Sequence, residues 1–224
     1  PDATKSKFEV GPMNSSIGGN DLEGFRVRAG GGTTPAFSKH LFLEGYTAYG
    51  FGDNKLKYDL AAEYSFNERK QYLKEFPRHS IRLGYMYDVN KLGEQYMNTG
   101  KDNFLLSIKR IDELRATYLR PAEICYLKEH YNGISYGANI RSKREYTTQY
   151  APFQRIEAKE SISPIDHYDM TTLELRFRYG KDEKFFQTRN HRIPITFDAF
   201  IFNISHQIGI KNFLGTDYDY HRTD

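Results

Sequence analysis

The sequence predicts an all-β fold: an antiparallel up-and-down meander of about ten strands that forms part of a transmembrane β-barrel. Three observations predict it. Apolar and polar residues alternate with a period of two through most of the chain, as in "LKYDLAAEYSF" (56–66). There Leu56, Tyr58, Leu60, Ala62, Tyr64 and Phe66 share one parity, and Lys57, Asp59, Ala61, Glu63 and Ser65 the other. Successive strand side chains point to opposite faces, so such a segment has one oily face and one charged face. Short polar connections such as "GDNK" join these segments in the manner of hairpins. Finally, 18 Tyr and 16 Phe with no Trp is a heavy aromatic load. Outer-membrane barrels place aromatics in girdles, although β-proteins in general also favour them.

The elements follow in order. "KFEVGPM" (7–13) and "EGFRVRAGGGTT" (23–34) are the first candidates. In "LFLEGYTAYGFG" (41–52), Leu41, Leu43, Tyr49 and Phe51 oppose Glu44. The 56–66 segment comes next, and then "FNERKQYLKEFPRHS" reads as a long connection. "SIRLGYMYDV" (80–89) sets Ile81, Leu83, Tyr85, Tyr87 and Val89 against Arg82 and Asp88, and "NFLLSIK" (103–109) sets Phe104, Leu106 and Ile108 against Ser107 and Lys109. From 115 to 133, Ala116, Tyr118, Ala122, Ile124 and Tyr126 stay in step, with Pro121 limiting regularity. "ISYGANIRSK" (134–143), "TTLELRFRYG" (171–180) and "TFDAFIFNISHQIGI" (196–210) complete the set. Residues 90–102 and 147–169 read as irregular. No composition shift divides the chain, so 1–224 is expected to be a single barrel domain.

Two architectures use such strands. A soluble sandwich turns the oily faces inward, whereas a membrane barrel turns them to lipid and the charged faces to a wet lumen. The segments are long for a sandwich and close to the ~9–11 residues that cross a bilayer at a tilt. In the barrel, Arg26, Arg28, Lys57, Asp59, Glu63, Arg82, Asp88, Glu174, Arg176 and Arg178 are expected in the lumen. Leu56, Tyr58, Leu60, Tyr64, Phe66, Leu83, Tyr85, Tyr87, Leu173, Leu175, Phe177 and Tyr179 are expected against lipid.

Composition excludes little but bounds the chemistry. The net charge of +3 gives no bulk argument for nucleic acid. A single cysteine, Cys125, rules out a disulfide framework within the chain. Mean hydropathy is −0.72 and no stretch approaches a membrane helix, a test that alternating barrel strands escape. The opening "PDATKSKFEV" has no signal-peptide pattern. His40, His79, His130, His167, His191 and His206 are scattered without a zinc spacing, and Ser205 and His206 fall on opposite faces of a strand, which defeats a direct nucleophile–base pair. "AGGGTTP" (29–35) lacks the ending of a phosphate loop and reads as a strand bend. Arg176 and Arg178 suit anion selection if they line a pore, or neutralisation by Glu174 and neighbouring acids. No catalytic residue, metal or cofactor is expected.

The stretch "EGFRVRAGGGTTPAFSKHLFLEGYTAYGFGDNKLKYDLAAEYSFN", with "FPRHSIRLGYMYDVN" and the terminal "HQIGIKNFLGTDYDYHRTD", resembles a Bacteroidetes outer-membrane family. In that family a carboxypeptidase-regulatory-like domain precedes a β-barrel domain of unknown function. The barrel is similar to the surface-antigen superfamily of the BamA insertase and the two-partner secretion transporters. The superfamily's late Arg-Gly-Phe or Arg-Gly-Tyr signature is not matched by Glu23-Gly24-Phe25-Arg26, and the chain ends on Asp224 instead of an aromatic residue. Both departures imply an N-terminal portion of a larger barrel. The resemblance implies a non-enzymatic role in assembling, translocating or displaying polypeptides at the bacterial outer membrane, with outer-membrane lipid and assembly or secretion proteins as partners. A weakly paired first strand would serve that role, and Pro12 in "KFEVGPM" would weaken it further. A passive pore, a soluble β-sandwich binding module and an outer-membrane hydrolase are the alternatives.

Overall fold

The computed structural model describes residues 6–11, 16–71, 74–91, 115–156, 162–188, 192–196, 198–216 and 219–224. The described residues form strands, turns and irregular segments and include no helix. One sheet of eleven strands dominates. Its path runs through β1 (Phe8–Val10), β3 (Gly24–Thr33), β4 (Leu41–Gly50), β5 (Lys55–Ser65), β6 (His79–Lys91), β7 (Ala116–Glu129), β8 (Ile134–Tyr146), β11 (His167–Lys181), β14 (Phe200–Gly209) and β15 (Tyr220–Thr223). β2 (Ile17–Asn20) shares the outer edge of β3 with β1. Every pairing is antiparallel, and the sheet is not closed: β1 and β2 form one edge and β15 the other.

The alternation predicted from sequence sets these strands, and most lie where the parity places them. The turn at 51–54 joins β4 to β5, with Asn54 at φ 52°, a left-handed conformation that Asn tolerates. β7 runs through Pro121 at a cost: the β6–β7 ladder lapses opposite Arg120 and Pro121, then resumes in register at Asp88–Leu119. In β3, a Cβ on Gly31 would meet the Glu9 carbonyl oxygen at 2.3 Å, so the glycines let β1 approach closely.

Two stretches differ from expectation. Within 147–169, β9 (Phe153–Ile156) and β10 (Ile162–Ile165) form a separate hairpin, and β11 already begins at His167. Between β11 and β14, β12 (Phe185–Gln187) and β13 (Arg192–Pro194) form another. These strands are too short for a period of two to register. The expected strand at 103–109, Pro12 and His191 lie outside the described residues.

Burial is inverted relative to a soluble domain. Lys57, Glu23 and Glu145 are buried at 0%, 1% and 2% exposure, together with Thr117 and Thr171. Leu56, Leu60 and Leu83 are 58%, 54% and 50% exposed. Among the described residues the buried apolar side chains are Phe42, Ala48, Ala61, Ala116, Tyr118 and Ala151, too few and too small for a core.

Candidate functional site

The charged face is concave. Arg26 on β3 donates from Nη1 and Nη2 to Asp88 on β6 at 2.7 and 2.8 Å. Those strands are three steps apart, ~14 Å across a flat sheet, so the sheet must curl toward its charged side. Glu44 on β4 and Arg82 on β6 meet at 2.5 Å, and Thr172 on β11 and Tyr220 on β15 at 2.9 Å, each across an intervening strand.

A connected network fills one end of this face. Lys57 Nζ lies 3.0 Å from Glu23 and 2.6 Å from Asp53, acids of the β2–β3 and β4–β5 turns. Glu23 also lies 3.1 Å from Arg26, whose partner Asp88 accepts from the Tyr46 hydroxyl. The Tyr118 hydroxyl donates to Asp53 at 2.6 Å. Burial alone would raise the Asp53 carboxyl, yet hydrogen bonds from Lys57, Tyr118 and the Lys55 backbone outweigh it and hold the pKa below the ordinary value. A buried ammonium is tolerated because two carboxylates share it.

Further along, Glu123 takes Arg82 at 3.0 Å and Arg141 at 2.7 Å, and Glu145 accepts from Thr117 at 2.6 Å and from Tyr168. Arg82, Glu123, Arg141, Glu145 and Tyr168, with Asp59 and Glu174, line a groove of about 600 Å³. Glu63 pairs with Arg69 and Arg78, while Arg28 lies 3.6 Å from the centre of the Tyr46 ring. Arg176 meets Glu174 at 2.5 Å, and Arg178 meets Glu183 beyond the end of β11. Acids of their own strand and loop therefore neutralise both arginines. The predicted inner residues share this face but not one cluster: Arg26, Lys57 and Asp88 join the end network, Asp59, Arg82 and Glu174 the groove, and Glu63 a separate pairing.

The opposite face is ordered by row. Leu43, Ala62, Leu83, Ile124, Ile140, Leu173 and Ile208 are consecutive cross-strand partners from β4 to β14. Aromatic rings flank this aliphatic row. Toward the 51–54 turn lie Phe25–Phe51, Tyr49–Phe51 and Tyr58–Tyr87, with ring centres 5.1–6.1 Å apart, and Tyr87 stacks at 5.8 Å on Tyr118, a buried ring whose hydroxyl reaches Asp53 of the end network. Toward the other end lie Tyr64–Phe66, Phe66–His79, His79–Tyr126, Tyr126–Tyr136 and Phe177–Phe202, at 4.4–6.5 Å. Each predicted outward residue falls on this face. Leu173, Tyr58, Tyr87 and Tyr179 are half-buried and Phe66 lies just past β5.

Sequence reasoning does not single out Tyr46, Glu123 or Glu145, although strand parity could find them. Glu23 and Asp53 sit in turns, where no period operates. His206 hydrogen-bonds Thr223 Oγ1 at 2.7 Å and stacks on His221, and no His/Cys/Asp/Glu group suited to a metal occurs among the described residues. Comparison with family models, curated proteins and solved structures finds no match for this chain.

Proposed function

We propose that this chain is the wall of a bacterial outer-membrane β-barrel that acts on polypeptides, assisting their assembly, translocation or display, without chemistry of its own. The observation that carries the membrane assignment is the inversion of the sheet. A paired, buried charge network occupies the concave face, and an aliphatic row between two aromatic belts occupies the convex one. Outward apolar bands edged by aromatics are the pattern of strands crossing a bilayer. Lipid contacts the convex face, and no cofactor or nucleic acid is involved.

The edge geometry supports the polypeptide-handling part of the reading. β1 and β2 pair with β3 over three and four residues, against thirteen between β8 and β11. Open edges do not persist in lipid, so the lightly paired first edge is available to a strand from elsewhere. A client strand adding there would gain backbone hydrogen bonds at little cost in displaced pairing.

Reconstitution tests this. The protein in liposomes is mixed with an unfolded outer-membrane client, and client folding is followed by heat-modifiable gel mobility. Faster folding than in protein-free liposomes is expected. Equal rates, with steady open-pore conductance in planar bilayers, would replace this reading with a passive pore through the polar groove.

A further inference from the structure

Arg120 on β7 and Arg144 on β8 are direct cross-strand partners on the outward face. Like charges placed opposite each other in an antiparallel pair repel, and their position makes the repulsion worse. On β7 and β8 the outward aliphatic run is interrupted after Ala122 and Ile140: the next outward positions are Ser142 and the two arginines, with the cross-strand partners Tyr118 and Tyr146 beyond them. The arginines therefore sit at the margin of the aliphatic band, where a bilayer changes from acyl chains to headgroups.

The two guanidiniums are held differently. Asp169 on β11 grips Arg144 through a two-bond fork, Nε and Nη2 at 2.7 and 2.8 Å. Arg120 is exposed and, among the described residues, has no carboxylate at ion-pair distance. Its guanidinium carbon lies 5.2 Å from the centre of the Tyr87 ring and 5.7 Å from that of Tyr146. Two aromatic faces fix the cation in place without neutralising it. Pro121 follows it, and the ladder to β6 lapses at this point, so the backbone here is paired on its β8 side and open on its β6 side.

We propose that Arg120 and Arg144 form a binding site for the phosphate of a lipid headgroup, flanked by Tyr87 and Tyr146. Phosphate oxygens accept from Arg120 and from Nη1 of Arg144, which the Asp169 fork does not use, and supply the counter-charge that Arg120 lacks. The acyl chains of the same lipid then run down the aliphatic row past Ile124 and Ile140. A free phosphate would meet the guanidiniums equally well but would gain nothing from that row. The proposal rests on the membrane reading above.

Native mass spectrometry of the protein in neutral detergent tests it, with short-chain phosphatidic acid as the probe and phosphatidylcholine of the same chains and inorganic phosphate as comparisons. A retained phosphatidic acid adduct is expected, with affinity about tenfold lower in Arg120→Gln, the loss expected for one charge-assisted contact. Lys128→Gln, which removes an outward-parity cation at the opposite end of β7, should leave binding unchanged. Phosphatidic acid held no better than phosphatidylcholine, inorganic phosphate bound as tightly as the lipid, or equal loss in Lys128→Gln would each overturn the lipid-phosphate site while leaving the barrel intact. A protein that stays dispersed without detergent and does not enter liposomes would overturn the membrane reading itself.

Discussion

Lys57 has no exposed surface and two carboxylates within 3.0 Å, so its charge is held entirely by protein groups. Replacing it with Met removes the cation and strands Glu23 and Asp53 beside each other. Breaking one partner out of a buried ion pair costs about 3–5 kcal/mol. Urea unfolding of Lys57→Met in detergent should show a loss of that order, and Glu23→Gln added to it should restore part. A loss below about 1 kcal/mol would mean that water reaches the network freely. The lysine itself was legible: its parity opposite Leu56 and Tyr58 put it on the charged face. Its partners were not. Glu23 and Asp53 come from turns, and only the register of β3, β4 and β5 brings them to it.

At the scale of the strand, a residue's place along the outward run of its own strand assigns it a depth. Leu83 lies in the aliphatic row, and Phe25 lies near the turn end of β3. If lipid covers this face, an arginine costs ~2–4 kcal/mol at the midplane and ~0–1 near the interface. Leu83→Arg should therefore destabilise the bilayer-embedded protein strongly in urea titrations, and Phe25→Arg hardly at all. Equal, small effects would fit a water-exposed face, since Leu83 is already half exposed. The long strands were readable because ten or more alternating residues outvote local exceptions. The hairpins β9–β10 and β12–β13 and the edge strand β15 were missed because three or four residues carry no usable period. Pro121 is an irregularity with a confined effect: the β8 ladder continues through it and the β6 ladder resumes in register beyond it.

For the whole sheet, the outward apolar run does not follow the hydrogen-bonded rows. On β4 it extends from Leu41 to Phe51, centred on Tyr46, whose partner on β5 is Asp59. On β14 it extends from Phe200 to Ile210, centred on Ser205. Traced back through Arg176, Gly137, Leu127 and Ser80, the row of Ser205 reaches Ser65 on β5. Asp59 and Ser65 are six residues apart on β5, and six strand-to-strand steps separate β4 from β14. The band thus slips about one residue, ~3.4 Å, for each ~4.8 Å step between strands. A level bilayer can follow such a band only if the strands lean by about 35°, within the range that closed barrels require. A solvent-facing sandwich has no reason to slant its apolar positions in step. Polarised infrared spectroscopy of the amide I band in oriented bilayers should give a mean strand tilt of roughly 35–45°. Strands standing along the membrane normal, or showing no orientation, would make the slant an accident of sequence and remove the strongest whole-molecule argument for a barrel.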